Sequence, residues 1–282
     1  MALIFLKLYN CLYKNIHLGG RILELKDFLQ DISDDVKTIN SSDFKVEVIE
    51  TKQVPNPDDK DLTYENFDTL TKKCKSIETC VLYIDIRKST QLSSIHRNST
   101  LVKLYSSFIR SMVKAGEYYD GKVRNIVGDR VMVVFNSDSC FTSAVNTAIL
   151  MNTIADRIIN KHFKNNEVKC GIGIDYGKML VSKVGTIKQG NENSQYKSLV
   201  WLGNAANIAS KLTDAANKPN KNNKNISPIL MSKAVYDGFK KLNPGHKSIK
   251  ENYWTIQDVE VSNYSDIVYG GNVYFTDINK TK

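Results

Sequence analysis

The sequence predicts an α+β domain built on a mostly antiparallel sheet. Three observations carry this. From Cys80 onward, short β-rich apolar runs interleave with long amphipathic helical stretches. The interleaving has no strict strand–helix–strand repeat, so a parallel sheet is not expected. Two apolar runs, 123–127 and 131–135, flank Gly128-Asp129, the signature of a hairpin.

Taken in order, residues 1–40 are expected to be helical, because Ile22, Leu23, Leu25, Phe28, Leu29 and Ile32 recur at helical spacing. Residues 44–49 alternate as a short strand. Residues 54–60 are polar and carry Pro55 and Pro57, which reads as a linker. They divide an N-terminal extension, 1–70, with a dimerisation or regulatory role in view, from a main domain, 71–282. Residues 81–86 form an apolar strand that ends around a carboxylate. A helix follows over 101–119, then the hairpin, then a long helix over 141–163 with Ala144, Ala148, Ile149, Ile154, Ile158 and Ile159 inward. Strands are expected at 168–175, 179–184 and 198–202. Helices are expected at 205–216 and 231–241, with closing strands at 259–261 and 272–275. The Asn- and Lys-rich stretch 217–225 reads as a solvated loop.

Of 282 residues, 41% are hydrophobic and 24% charged, enough for a real core and against general disorder. The net charge of +9 favours anionic partners. The basic residues are scattered, so nucleotide phosphate is expected rather than nucleic acid. The five cysteines are odd in number and form no C-x-x-C pair, which fits reduced thiols rather than a zinc site. The N-terminal apolar run stops at Lys7, too short for a signal peptide, and no apolar stretch is long enough to span a bilayer. The expectation is a soluble, cytoplasmic protein with no membrane partner.

Two carboxylates stand out. Asp85 lies at the end of an apolar strand, and Asp129 lies in the tight turn between two others. Either alone is more often a cap or an ion-pair partner. Together they suit divalent cations, which prefer carboxylate oxygens and bridge them to phosphates. Asn207 and Lys211 are four residues apart and share one helix face. An amide and a cation so placed suit a ribose and a triphosphate, although a cap and a solvated lysine are the simpler reading of the pair alone.

Three segments stand in a telling order: Asp85-Ile86-Arg87-Lys88-Ser89-Thr90, then Val123-Arg124-Asn125-Ile126-Val127-Gly128-Asp129-Arg130-Val131-Met132, then Trp201-Leu202-Gly203-Asn204-Ala205-Ala206-Asn207-Ile208-Ala209-Ser210-Lys211-Leu212. The whole resembles the class III adenylyl/guanylyl cyclase homology domain, over about residues 78–215. The resemblance implies that fold, with active sites at the interface of an antiparallel homodimer. It implies two divalent cations, Mn or Mg, held by Asp85 and Asp129 with the Ile86 carbonyl. It implies that Asn207 orients the ribose and that Lys211, standing where the family usually has arginine, stabilises the transition state, both from the partner subunit.

The departures sharpen the reading. Lysine at 211 keeps the charge but loses the planar fork of arginine. The purine-reading positions match Asn125 and Val200, and Val200 offers no side-chain hydrogen bond. Arg124 adjoins Asn125, but strand alternation directs it to the other face. With these departures the chain is similar to the pyrimidine cyclases of bacterial Pycsar antiphage systems. That similarity implies synthesis of cyclic UMP or cyclic CMP, read by a separate effector protein. An adenylyl or guanylyl cyclase, and an inactive nucleotide-binding cyclase-like domain, remain open at this point, as does the proton acceptor.

Overall fold

A computed structural model describes residues 16–18, 21–163, 168–185, 187–188, 191–192 and 198–276. The chain forms two compact units, Met1–Glu47 with Glu65–Lys72, and Val48–Tyr64 with Lys73–Lys282. In the smaller unit, strands β1 (Ile16–Leu18) and β2 (Arg21–Leu23) pair antiparallel, and helix α1 spans Leu25–Ile39. The continuous helix expected over 1–40 is therefore corrected: Ile22 and Leu23 lie in a strand, and residues 1–15 fall outside the described residues. On α1, Leu25, Phe28, Leu29, Ile32, Val36 and Ile39 keep helical spacing, and all six are exposed. The Lys45 N–H donates to the Leu70 carbonyl at 2.8 Å, and Lys72 pairs with Glu65.

The larger unit is organised by one sheet. Its strands are β3 (Lys45–Thr51) from Val48 onward, β4 (Thr71–Ile86) from Lys73 onward, β5 (Lys122–Val127), β6 (Arg130–Val134), β7 (Cys170–Val184), β10 (Ser198–Leu202), β11 (Ile229–Ser232), β12 (Thr255–Ile256) and β13 (Val268–Gly271). A separate small pair is β8 (Ile187–Lys188) with β9 (Asn191–Glu192). The main order is β12-β13-β11-β7-β4-β6-β5, with β10 on β7 and β3 on β4. The registers are antiparallel save for β11 on β7, so the sheet is mostly antiparallel as predicted. Helices α2 (Ser89–Ile95), α3 (Asn98–Tyr118), α4 (Cys140–Ile154), α5 (Asn204–Ala215), α6 (Lys233–Leu242) and α7 (Lys247–Lys250) complete it.

The central strand β4 is buried on both faces, which explains its unbroken apolar run. Cys80, Leu82, Ile84 and Ile86 join Leu104, Phe108 and Met112 of α3 and Ala144 and Ala148 of α4 in the main core. Ile77 and Val81 face the other way, with Met132, Val134, Met179, Val181 and the small residues Ala205, Ala206 and Ala209 of α5. Against this second face, α5 lies directly on β7. A Cβ on Gly173 would stand 2.3 Å from the Ala209 carbonyl oxygen and 2.3 Å from the Thr213 nitrogen, so only glycine admits the helix backbone there.

Several expected boundaries move, each for a local reason. Residues 54–60 are not a free tether: Val54 is buried, its N–H donates to Asn136 Oδ1 at 2.9 Å, and Lys75 reaches Asp59 at 2.7 Å. The strands expected at 168–175 and 179–184 are one, β7, because paired β4 carries the chain through Gly177. The long helix beyond α4 passes through a π-helical turn, Ala155–Ile159. One extra residue per turn rotates the phase, so Ile159 is buried while Ile158 is exposed. The helix expected from 231 begins at Lys233, capped by Ser232, because Ile229–Ser232 is a fully buried strand. The closing strands lie at Thr255–Ile256 and Val268–Gly271 rather than 259–261 and 272–275. Asn220 organises the 217–225 loop, accepting from the N–H groups of Asn222 and Lys224 and donating to Asp258. Among the described residues all four cysteines are buried and free.

Gly173→Ala is expected to destabilise the protein by about 3 kcal/mol, because the clash is with backbone and neither element can yield. Gly245→Ala, whose added Cβ meets nothing within 4 Å, is expected to shift stability by no more than about 0.5 kcal/mol. Paired denaturant melts check both.

Candidate active site

Strand β4 and the β5–β6 hairpin bring two carboxyl groups together. Asp85 stands opposite Gly171 in the register, which directs its side chain to the α5 face of the sheet. Asp129 follows Gly128, whose φ of 61° is the left-handed conformation a tight hairpin turn demands and glycine accepts. The Ile86 N–H donates to Asp129 Oδ2 at 3.0 Å. Burial first, and then the hydrogen-bonded Asp85 carboxyl, push Asp129 up to about 6. Asp85, Ile86 and Asp129, grouped in the sequence by the resemblance, lie together in the structure.

Two arginines bind the same carboxylate oxygen. Arg130 Nη2 donates to Asp85 Oδ2 at 2.9 Å, and Arg87 Nη2 donates to it at 3.3 Å. Arg87 is buried, and its Nη1 reaches the Asp214 carbonyl at 3.2 Å. Arg130 Nη1 donates to Ser210 Oγ at 2.9 Å, and its Nη2 also pairs with the Asp214 carboxylate. Sequence reasoning missed Arg87, Arg130, Ser210 and Asp214. The available signal was position alone: Arg130 directly follows Asp129, and Ser210 and Asp214 share the outward face of α5 with Asn207.

Asn207 is exposed, and Lys211 Nζ donates to the Ser262 carbonyl at 2.7 Å. Within the chain these two therefore meet neither carboxylate through any described hydrogen bond. Asn125 pairs with Met132 and shares its face, the α5 side. Val200 pairs with Ser182, on the face of β10 opposite its neighbour Trp201, which packs with Met179 and Val181. The alternation expected for Arg124 is overturned. The register slips between Val123 and Asn125, a β-bulge with Arg124 as the extra residue. Arg124 Nε donates to the Pro55 carbonyl at 2.9 Å, beside buried Val54, on the same side as Asn125.

Hard divalent cations fit this cluster. Burial first, and then the neighbouring Asp85 carboxyl, raise Asp129 to about 6, because two adjacent carboxylates repel when both ionise. A cation between them relieves the repulsion, and every donor at hand is oxygen. Among the described residues no group of three or more His, Cys, Asp or Glu side chains could hold a metal. The residues that could hold such an ion are Asp85 and Asp129, a pair that suits a hard divalent cation completed by phosphate.

Comparison with known proteins bears on this arrangement. A family model described as the adenylate and guanylate cyclase catalytic domain matches residues 71–246. A uridylate cyclase of Burkholderia cepacia is 31% identical over 212 residues, covering 73% of this chain and 87% of that protein. A uridylate cyclase of Gulbenkiania mobilis is 30% identical over 239 residues, covering 79% and 84%. Among solved structures, the adenylyl cyclase CyaB from P. aeruginosa superimposes with a TM-score of 0.53 at 21% identity, over 70% of this chain and 94% of that one.

The pair makes a prediction about stability. Asp129 has a folded pKa of about 6 against an ordinary 3.8, so the folded state holds a proton that the unfolded chain releases. Stability is therefore lost as pH rises from about 4 through 6. Asp129→Asn removes that loss, so in chelator its melting temperature is expected to exceed wild type at pH 7.5, with the gap closing toward pH 4.

Proposed function

The chain belongs to the adenylate and guanylate cyclase catalytic domain family and is a nucleotide cyclase, and from that premise we propose that it converts UTP to 3′,5′-cyclic UMP and pyrophosphate. Members of the family use divalent metal ions, act on nucleoside triphosphates and are often dimeric. The observation that carries the cyclase chemistry here is the shared Asp85–Asp129 carboxyl pair, with Ile86 bonded to it.

Asp85 and Asp129 would hold two cations, Mn or Mg, which would supply Lewis-acid polarisation of the triphosphate and of the ribose 3′-hydroxyl. The 3′-oxygen attacks the α-phosphorus in line, and pyrophosphate leaves. Asn207 from the partner subunit orients the ribose. Lys211, also from the partner, places positive charge where negative charge develops. An ammonium has three donors, so the bond to Ser262 leaves it donors for phosphate.

Preference for a pyrimidine is supported by the base positions and by the relatives named uridylate cyclase. Asn125 donates and accepts, Val200 does neither, and a site without the second polar partner loses the means of selecting a purine. The bulge brings Arg124 to the Asn125 side, where a guanidinium can donate to a pyrimidine carbonyl. The similarity to Pycsar cyclases supports a second-messenger role in antiphage defence, with a separate effector that reads the product. No helix among the described residues is long and apolar enough to cross a membrane.

With manganese and each of ATP, GTP, CTP and UTP in turn, mass spectrometry is expected to find cyclic UMP as the main product. A main product of cyclic AMP or cyclic GMP would discard the base-pocket reading and keep the cyclase. Asp129→Ala and Lys211→Ala are each expected to lose turnover while remaining folded. Mixed as a heterodimer they are expected to regain it, because one of the two sites then combines an intact Asp129 of one chain with an intact Lys211 of the other. A folded, inactive heterodimer would refute the shared site.

A further inference from the structure

We propose that Arg130 is a positioning residue that competes with a divalent cation for Asp85 and yields that carboxylate by turning to Asp214 on α5. The inference rests on reading Asp85 and Asp129 as the cation ligands, and goes beyond it by giving the chain an internal competitor.

Arg130 pairs with Val127 to close the hairpin, and its side chain emerges on the sheet face that α5 covers. Its guanidinium joins three partners on two elements. Asp85 lies at 2.9 Å and Ser210 at 2.9 Å, with the Asp214 carboxylate also in contact. The planar fork makes this bridging possible, since separate N–H groups point along fixed directions. Burial opposes the charge on Arg130, yet its bonds to Asp85 and Asp214 outweigh that and hold its pKa above the ordinary value.

The other arginine on Asp85 cannot play this part. Arg87 is 6% exposed and lies flat on Gly171, where an added Cβ would come within 2.8 Å of its Cζ. It is fixed between Asp85 and the Asp214 carbonyl. Arg130 has a side chain 26% exposed and Asp214 one 54% exposed, so this pair has room to rearrange. Every guanidinium N–H on Asp85 Oδ2 uses a lone pair that a hard cation needs. Affinity for the cation is then set by where Arg130 spends its time. Asp214 is the alternative acceptor that draws it away. The same helix carries Asn207 and Lys211, so the exchange also links the cation cluster to α5.

The test is manganese binding by the full-length protein without nucleotide, followed by electron paramagnetic resonance of free Mn²⁺. Asp85→Asn is expected to abolish the binding. Arg130→Gln is expected to tighten it on the order of fivefold. Asp214→Ala is expected to weaken it by a similar factor, because Arg130 then remains on Asp85. The double variant is expected to behave as Arg130→Gln alone, since Asp214 acts only through the arginine. Equal weakening by Asp214→Ala with and without Arg130 would mean that Asp214 acts by its own charge, and would overturn the proposal. So would unchanged binding in folded Arg130→Gln, or, if that variant does not fold, unchanged binding in Asp214→Ala. Wild-type binding that survives Asp85→Asn would instead overturn the reading of the cation ligands.

Discussion

The seating of α5 on the glycines of β7 is the constraint on which the site depends. With no Cβ at Gly173, the backbone of the helix reaches the strand at Ala209 and Thr213. Thr213 Oγ1 then donates to the Tyr83 carbonyl on β4, so the helix is tied across to the central strand at 3.1 Å. Gly171, two residues earlier, gives the space in which Arg87 lies. Were either position larger, α5 would stand off the sheet. Ser210 and Asp214 would then lose Arg130, and the bridge between the helix and Asp85 would open.

That bridge answers an electrostatic difficulty. A pair of carboxyl groups at the end of a buried strand is unfavourable by itself, as the raised pKa of Asp129 records. The chain offsets it with two guanidinium groups and a backbone N–H, all directed at the pair. Such compensation stabilises the fold and at the same time occupies the oxygens that the proposed cations would use. If the pair takes a cation, as proposed, the ease with which an arginine yields would decide how tightly that cation is held.

The sequence made much of the sheet legible because β4 and β6 carry apolar runs, and Gly128-Asp129 marks the β5–β6 hairpin plainly. Asp85 and Asp129 stood out for a like reason, each a charge at the boundary of an apolar strand, and the structure brings them together. What stayed hidden depends on backbone irregularity or distance in the chain. The bulge at Arg124 adds one residue to a strand without any glycine to announce it, and so reverses an alternation argument. The π-turn at Ala155–Ile159 shifts the helical phase in the same silent way. Arg87 and Asp214 are 127 residues apart, and no local spacing relates them. The strand Ile229–Ser232 was hidden because a short buried run has neither helical nor strand periodicity.

Helix α5 shows how one element serves two purposes. Ala205, Ala206, Ile208, Ala209, Leu212 and Thr213 are buried, which leaves Asn207, Ser210, Lys211 and Asp214 on the outer side. At about 100° per residue these four fall within an arc of roughly 100°, in the angular order Ser210, Asp214, Asn207, Lys211. The two edges of that arc are engaged within the chain, Ser210 to Arg130 and Lys211 to Ser262, while Asn207 near its middle is exposed. A helix held at both margins presents its centre in a fixed orientation. This is the property required of a residue that positions a ribose for a second chain, because small errors of placement are costly in an in-line reaction. The contacts that order the carboxyl pair therefore also orient the face that would be offered to a second chain.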